Sequence, residues 1–273
     1  MAGSLTASAA QFSSGVNLVE VYATVTDEHG EPISGLDRDD FEVREDGHLQ
    51  TVSTFAAGDF PLTVALAIDR SFSMAGERLA ITKSAARIFL AELRPADEAA
   101  ILAIGSEVDT IAPLSTDRAA QYAALAKLDA FGTTGLYDAI IRAIELAQAG
   151  KGRRALVLLS DGMDRYSKAR AETALERSRR SDVMIYPIAL GRTRPPLFAE
   201  LAALTGGRSF HLREPKQLGD MLRSLARELR YQYLLGYSPT RPIVSGSDEW
   251  RSIRVTVKRP GVRVRARDGY LVN

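Results

Sequence analysis

The chain has 273 residues, of which 45% are hydrophobic and 25% charged, enough for a sizeable core in one large domain or a domain with a small companion. Its formal net charge is +1, from 35 Lys plus Arg against 34 Asp plus Glu, which speaks against a nucleic-acid binder held by phosphate neutralisation. There is no Cys, so disulfides, thiol nucleophiles and thiolate metal sites are excluded together, and no stretch reaches the ~18 consecutive apolar residues of a membrane-inserted span.

Residues 1–14 are small and polar, with neither the charged start nor the apolar stretch of a signal peptide, and read as a disordered leader. Between residues 16 and 55 the pattern is that of strands. Val19, Val21, Ala23 and Val25 alternate with Glu20, Tyr22, Thr24 and Thr26, a period of two. Asp27-Glu28-His29-Gly30 carries turn chemistry. Residues 41–44 make a second strand, Asp46-Gly47 a hairpin turn, and residues 50–55 a third strand.

After Pro61 the period changes. Residues 62–68 are almost continuously apolar, as in a strand buried on both faces of a parallel sheet. Helical spacing follows over 77–93, where Leu79, Ile81, Ala85, Ile88, Phe89 and Leu93 share a stripe. Further strands are expected at 99–104, 155–159 and 184–190, and helices at 117–128, 135–149, 169–180, 196–204 and 216–230. This rhythm specifies an α/β fold, a doubly wound and mostly parallel sheet flanked by helices. Beyond residue 230 the period of two returns at 231–237, 250–257 and 262–266. The flanks 15–59 and 231–273 each offer about three strands, close to the minimum for independent stability. They are expected to pair into one small β-sandwich, with the α/β domain, 60–230, inserted between them. In that sandwich Tyr231, Tyr233 and Tyr237 are expected to pack, and Arg263, Arg265 and Arg267 to form a solvated basic face.

Asp69-Arg70-Ser71-Phe72-Ser73 directly follows the apolar run 62–68. Thr134 lies in Gly132-Thr133-Thr134-Gly135, at the start of an apolar-periodic helix, and Asp161 in Ser160-Asp161-Gly162, at the end of the run 155–159. In open α/β sheets the ligand crevice lies outside the carboxyl ends of the strands, so Asp69, Ser71, Ser73, Thr134 and Asp161 are expected to meet at one metal site. Two carboxylates with hydroxyls, and no neighbouring His or Cys, suit Mg²⁺, with Mn²⁺ or Ca²⁺ as alternatives. Neutral hydroxyls leave such an ion electrophilic, ready to accept an Asp or Glu carboxylate from a protein partner. That points to a binding module rather than an enzyme. Arg70, Thr133, Met163, Asp164 and Arg165 sit beside these ligands and are expected to supply partner surface. Thr134 also suits the N-cap of its helix, and the three histidines, His29, His48 and His211, are too scattered to suggest a site.

These three segments resemble the metal-ion-dependent adhesion site of von Willebrand factor type A domains. Gly135-Leu136-Tyr137-Asp138-Ala139 and Leu158-Leu159-Ser160-Asp161-Gly162 extend the likeness over roughly residues 61–229. Val25-Thr26-Asp27, Gly35-Leu36, Asp40-Phe41, Glu45-Asp46-Gly47 and Tyr233-Leu234-Leu235-Gly236-Tyr237 are similar to a bacterial, acidobacterial-type branch of that family. The resemblance implies a Rossmann-like fold, Mg²⁺ held by the five residues named, a partner carboxylate completing its sphere, an adhesion or scaffolding role, and export from the cytoplasm. Thr133 stands where the family more often carries Gly, and offers a competing hydroxyl. A Mg²⁺-dependent phosphohydrolase with Asp69 as nucleophile is one rival, although it wants a second carboxylate where Ser71 stands. A structural module whose site no longer binds metal is the other.

Overall fold

The computed structural model describes residues 18–58, 60–244 and 246–272, so the leader expected at 1–14 lies outside the described residues. The N-terminal flank supplies β1 (Val19–Thr26), β2 (Phe41–Glu45), β3 (His48–Gln50) and β4 (Val52–Ala57). Then come β5 (Leu62–Asp69), α1 (Glu77–Glu92), β6 (Glu98–Ile104), β7 (Val108–Ser115) and α2 (Arg118–Ala126). The alternation continues with α3 (Leu136–Gln148), β8 (Arg153–Ser160), α4 (Ala171–Arg179), β9 (Met184–Leu190), α5 (Pro196–Thr205), β10 (Phe210–Leu212) and α6 (Leu218–Arg230). The C-terminal flank adds β11 (Gln232–Tyr237), β12 (Trp250–Val257), β13 (Arg263–Arg265) and β14 (Gly269–Leu271). Among the described residues no helix is long and apolar enough to cross a membrane.

The α/β unit is built on a six-stranded sheet in the order β10-β9-β8-β5-β6-β7, parallel except for β7. Every residue of β5 is buried, the outcome its unbroken apolar run requires. Its side chains sort by parity: Val64, Leu66 and Ile68 join the core shared with α1 and α6, and Ala65 and Ala67 the core shared with α3 and α5. On that second face α3 presents a stripe of Ala139, Ile140, Ala143, Ile144 and Ala147, the i, i+3, i+4 spacing of an amphipathic helix. The chain leaves β5 for β6 on one side and later crosses to β8 on the other. The carboxyl end of β5 is therefore the topological switch point, where open sheets form their ligand crevice. The sequence pattern did not expect β7. Its Pro113, mixed polarity and register shifts against β6 hide the alternation, as suits an edge strand.

Two four-stranded sheets, β13-β1-β11-β4 and β14-β12-β2-β3, enclose a separate core with Val21, Val43, Leu235, Tyr237 and Ile253. Each sheet draws two strands from each flank, so neither end of the chain builds a sheet alone. The single strand expected at 50–55 is broken at Thr51: β3 stays with β2 across the Asp46-Gly47 turn, and β4 crosses to pair with β11. Tyr233 and Tyr237 lie in the sandwich core, but Tyr231 is exposed at the end of α6. Of the expected basic face Arg263 is exposed, but the other two arginines are engaged rather than simply solvated. Arg265 is ion-paired with Glu228 of α6 at 2.6 Å, and Arg267 donates to the Gly269 carbonyl at 2.7 Å. Inside the sandwich the buried Glu45 accepts hydrogen bonds from Tyr237 (2.8 Å), Tyr270 (2.9 Å) and Arg251 (3.2 Å). That network ties β2 to three strands from the other end of the chain.

Candidate metal centre

Asp69 is the last residue of β5 and is completely buried. One further ladder bond, from Arg70 N–H to the Ile104 carbonyl (2.9 Å), ends the strand. The chain then turns because the Asp69 carboxylate accepts the Ser71 N–H at 2.9 Å, a local side-chain bond typical of Asp in turns. A short 3₁₀ turn, Phe72–Met74, follows. Met74 fills the interior, which leaves Phe72 and Ser73 facing outward. In this turn the Ser71 and Ser73 hydroxyls come within 3.0 Å of each other.

Two other loops close on this one. Phe131 N–H donates to the Arg70 carbonyl (2.7 Å) and Phe72 N–H to the Gly132 carbonyl (3.1 Å), holding the α2–α3 loop beside the Asp69 loop. Gly132 has φ +71°, and a Cβ there would collide with Ser106, so glycine alone allows this approach. On the opposite side Ser160, at the end of β8, donates its hydroxyl to the second Asp69 carboxylate oxygen at 2.6 Å. Asp161 follows at once, with one carboxylate oxygen accepting Met163 N–H at 3.1 Å. The Arg165 and Tyr166 N–H groups both donate to the carbonyl of the buried Thr134, at 2.9 and 3.0 Å, so the β8–α4 loop rests on the second loop.

Asp69, Ser71, Ser73, Thr134 and Asp161 thus lie on three loops cross-linked at one point of the sheet rim. Burial pushes the Asp69 carboxyl above the ordinary carboxylate range against the hydrogen bonds from Ser160 and Ser71, and the charge of Asp161 pushes it the same way. Among the described residues no cluster of three or more His, Asp or Glu forms. The donors are two carboxylates and three hydroxyls, an all-oxygen set with the chemistry that fits a hard divalent cation. Among the described residues no Lys or Arg is ion-paired with Asp69 or Asp161, so their charge is not met by a side-chain cation.

The neighbours expected to meet a partner divide sharply. Met163 and Arg165 are exposed. Arg70 is not free: its guanidinium is ion-paired with Asp109 of β7 at 2.5 Å and lies over the Phe131 ring, 5.3 Å from its centroid. Thr133 is half-buried, and its N–H donates to the Ser106 hydroxyl at 3.1 Å. Asp164 turns inward and caps α3, accepting Leu136 N–H at 2.8 Å and the Ser167 hydroxyl at 2.5 Å. The helix is thus capped from a loop about thirty positions away rather than by Thr134, a partner no local pattern reveals. Sequence reasoning also missed the role of Ser160, whose place at the end of an apolar run reads only as a strand terminus. It missed Asp138 too, which accepts the Lys168 and Ala169 N–H groups, both at 2.9 Å.

Residues 64–163 match the family model described as von Willebrand factor type A domain. No curated protein matches the sequence significantly. Among solved structures the chain is similar to a von Willebrand factor type A protein from Catenulispora acidiphila, at 14% identity and TM-score 0.58, over 96% of this chain and 74% of that one. It is also similar to the vWF domain of the type V pili tip protein Mfa5 from Porphyromonas gingivalis, at 12% identity and TM-score 0.54, over 64% of this chain and 96% of that one. A third is proximal thread matrix protein 1 from the mussel byssus, at 15% identity and TM-score 0.58, over 68% of this chain and 51% of that one. At these identities the structural likeness establishes the fold.

Proposed function

Residues 64–163 belong to the von Willebrand factor type A family, and from that premise we propose that the chain is a non-catalytic, divalent-cation-dependent module that captures an acidic side chain of a protein partner. Domains of this type typically serve protein interaction or adhesion. The observation that supports the reading best is the meeting of Asp69, Ser71, Ser73, Thr134 and Asp161 on three mutually hydrogen-bonded loops at the switch point of the sheet.

A bound Mg²⁺ would supply a Lewis-acidic position that takes a carboxylate oxygen from outside. The chain's own residues prepare for it. Asp69 is held at both oxygens by Ser71 and Ser160, so its carboxylate loses little freedom on binding. The Met163 N–H leaves one Asp161 oxygen for the cation. Ser71, Ser73 and Thr134 add neutral donors, and with only two carboxylates a divalent charge is balanced without filling its sphere. A phosphohydrolase reading finds no support here, because Ser71 occupies the place of the second carboxylate. Export to the periplasm or cell exterior is part of the proposal, by likeness to the bacterial branch.

Calorimetric titration of Mg²⁺, Mn²⁺ and Ca²⁺ into the metal-free chain, beside Asp69→Ala, tests the proposal. The expected result is binding by the wild type that is lost in the variant while its circular dichroism is unchanged. A wild type that binds none of the three ions would refute it.

A further inference from the structure

Phe72, Phe131, Met163 and Tyr166 are 69%, 60%, 42% and 58% exposed, and among the described residues they are the only large apolar side chains so exposed in the α/β unit. All four sit on the three loops that carry the candidate metal ligands. Their placement follows the sheet order β8-β5-β6. Met163 and Tyr166 stand on the β8 side. Phe131 stands on the β6 side, its carbonyl packed where a Cβ of Gly105 would meet it at 3.2 Å. Phe72 projects from the Asp69 loop between them. Asp69 lies recessed among these side chains, completely buried.

The charges around this collar are lopsided. On the β6 side Arg70 is neutralised by Asp109, and Glu107 is exposed. On the β8 side the β9–α5 loop packs against the β8–α4 loop, since a Cβ on Gly162 would collide with Pro195. Arg165, Arg192 and Arg194 are exposed on these two loops, and none of them forms an ion pair among the described residues.

We propose that this rim docks a protein segment in which one Asp or Glu is flanked on both sides by aromatic or aliphatic residues, with further acidic residues following on one side only. The inference rests on the function proposed above, in which the central acid meets the cation. The flanking apolar side chains pack against Phe131 on one side and Met163 and Tyr166 on the other, with Phe72 between them. The trailing acids meet Arg165, Arg192 and Arg194. The loops already hold these side chains through mutual backbone bonds, so apolar contact is gained with little ordering cost. Exposed aromatics grouped around a desolvated polar centre are the usual anchors of protein interfaces. The recessed Asp69 also favours a protruding side chain over the flat surface of a bilayer.

The test selects a random-peptide phage library on the full chain in Mg²⁺, with an EDTA arm, and measures Mg²⁺ uptake of each variant separately by calorimetry. The expected outcome is Mg²⁺-dependent enrichment of peptides with an acid between apolar residues and extra acids on one side. The double variant Phe72→Ser with Phe131→Ser should weaken the selected peptides by at least about tenfold, and Arg192→Glu with Arg194→Glu should weaken those with trailing acids. Both variants should take up Mg²⁺ as the wild type does. Enriched acidic peptides without apolar flanks, no enrichment at all, equal peptide binding by the Phe variant, or Mg²⁺-independent binding to phosphatidylglycerol vesicles in place of peptides would each overturn this inference alone. A wild type that takes up no Mg²⁺ overturns the proposed function, and this inference with it.

Discussion

Asp164→Ala removes no candidate metal ligand, yet it should weaken cation binding. The Asp164 carboxylate accepts Leu136 N–H at 2.8 Å and the Ser167 hydroxyl at 2.5 Å, and Ser167 in turn accepts Tyr137 N–H at 2.9 Å. Leu136 is 1% exposed, so truncation strands a buried donor. Losing such a cap costs about 0.5–2 kcal/mol, and an unsatisfied buried N–H about 1–3 kcal/mol, two overlapping descriptions of the same loss. Taking about 2 kcal/mol, the melting temperature should fall by about 4–8 °C for a chain of this size. The same bond fixes the loop that carries Asp161 against the start of α3. If about 1–2 kcal/mol of loop docking comes off cation binding, the Mg²⁺ dissociation constant should rise about 5–30-fold. Thermal unfolding and Mg²⁺ calorimetry on Asp164→Ala and Asp164→Asn give both numbers. Asn caps as well as Asp and should restore most of each. A variant that melts lower but binds Mg²⁺ with unchanged affinity would show that the cap stabilises α3 without positioning Asp161.

Glu45→Gln leaves the buried Arg251 with only the Glu249 carboxylate at 3.4 Å and should cost about 1–3 kcal/mol, whereas Glu45→Met with Arg251→Met also strands the Tyr237 and Tyr270 hydroxyls that Glu45 accepts and should cost more. Urea unfolding followed by Trp250, the sole tryptophan and a neighbour of Arg251, reads both; a loss under about 1 kcal/mol for Glu45→Gln would contradict the buried network. Gly162→Ala forces a side chain into φ +80° and against Pro195, so it should cost about 1–3 kcal/mol and reduce Mg²⁺ affinity in the same titration. Burial raises the Tyr22 hydroxyl from 10.0 to about 12 and pushes Tyr186, Tyr237 and Tyr270 up as well. The unfolded chain then releases these protons first. Stability should be full below pH 10 and fall as pH rises from 10 toward 12, with a shallower fall in Tyr22→Phe; a flat urea midpoint across that window would argue that these hydroxyls titrate freely.

Periodicity is a local signal, and what is local was legible in the chain. The unbroken apolar run of β5, the helical stripe of α3 and the alternation of β1 each state how many faces are buried, which is enough for the fold class. The rule that ligand crevices lie outside the carboxyl ends of the strands then located Asp69 and Asp161 without any contact information. The strands that escaped were β7 at the sheet edge and the three-residue β10 and β14, too short for a period to show. The break at Thr51 escaped for another reason, since residues on both sides alternate alike and only the competition between β2 and β11 for partners divides them.

What tertiary structure alone decided is which side chains remain available. Arg70 and Asp164 look equally exposed to a reader of loops, yet one is spent on Asp109 and the other on the α3 N-terminus. Phe72 and Met74 look equally suited to the core, but the 3₁₀ turn directs Met74 inward and Phe72 out. These outcomes depend on partners about thirty residues away or more for Arg70 and Asp164, and on the turn taken at a strand end for Phe72. Composition and spacing carry neither, because a side chain's role in a loop is set by whichever unsatisfied backbone group or opposite charge the fold brings within reach.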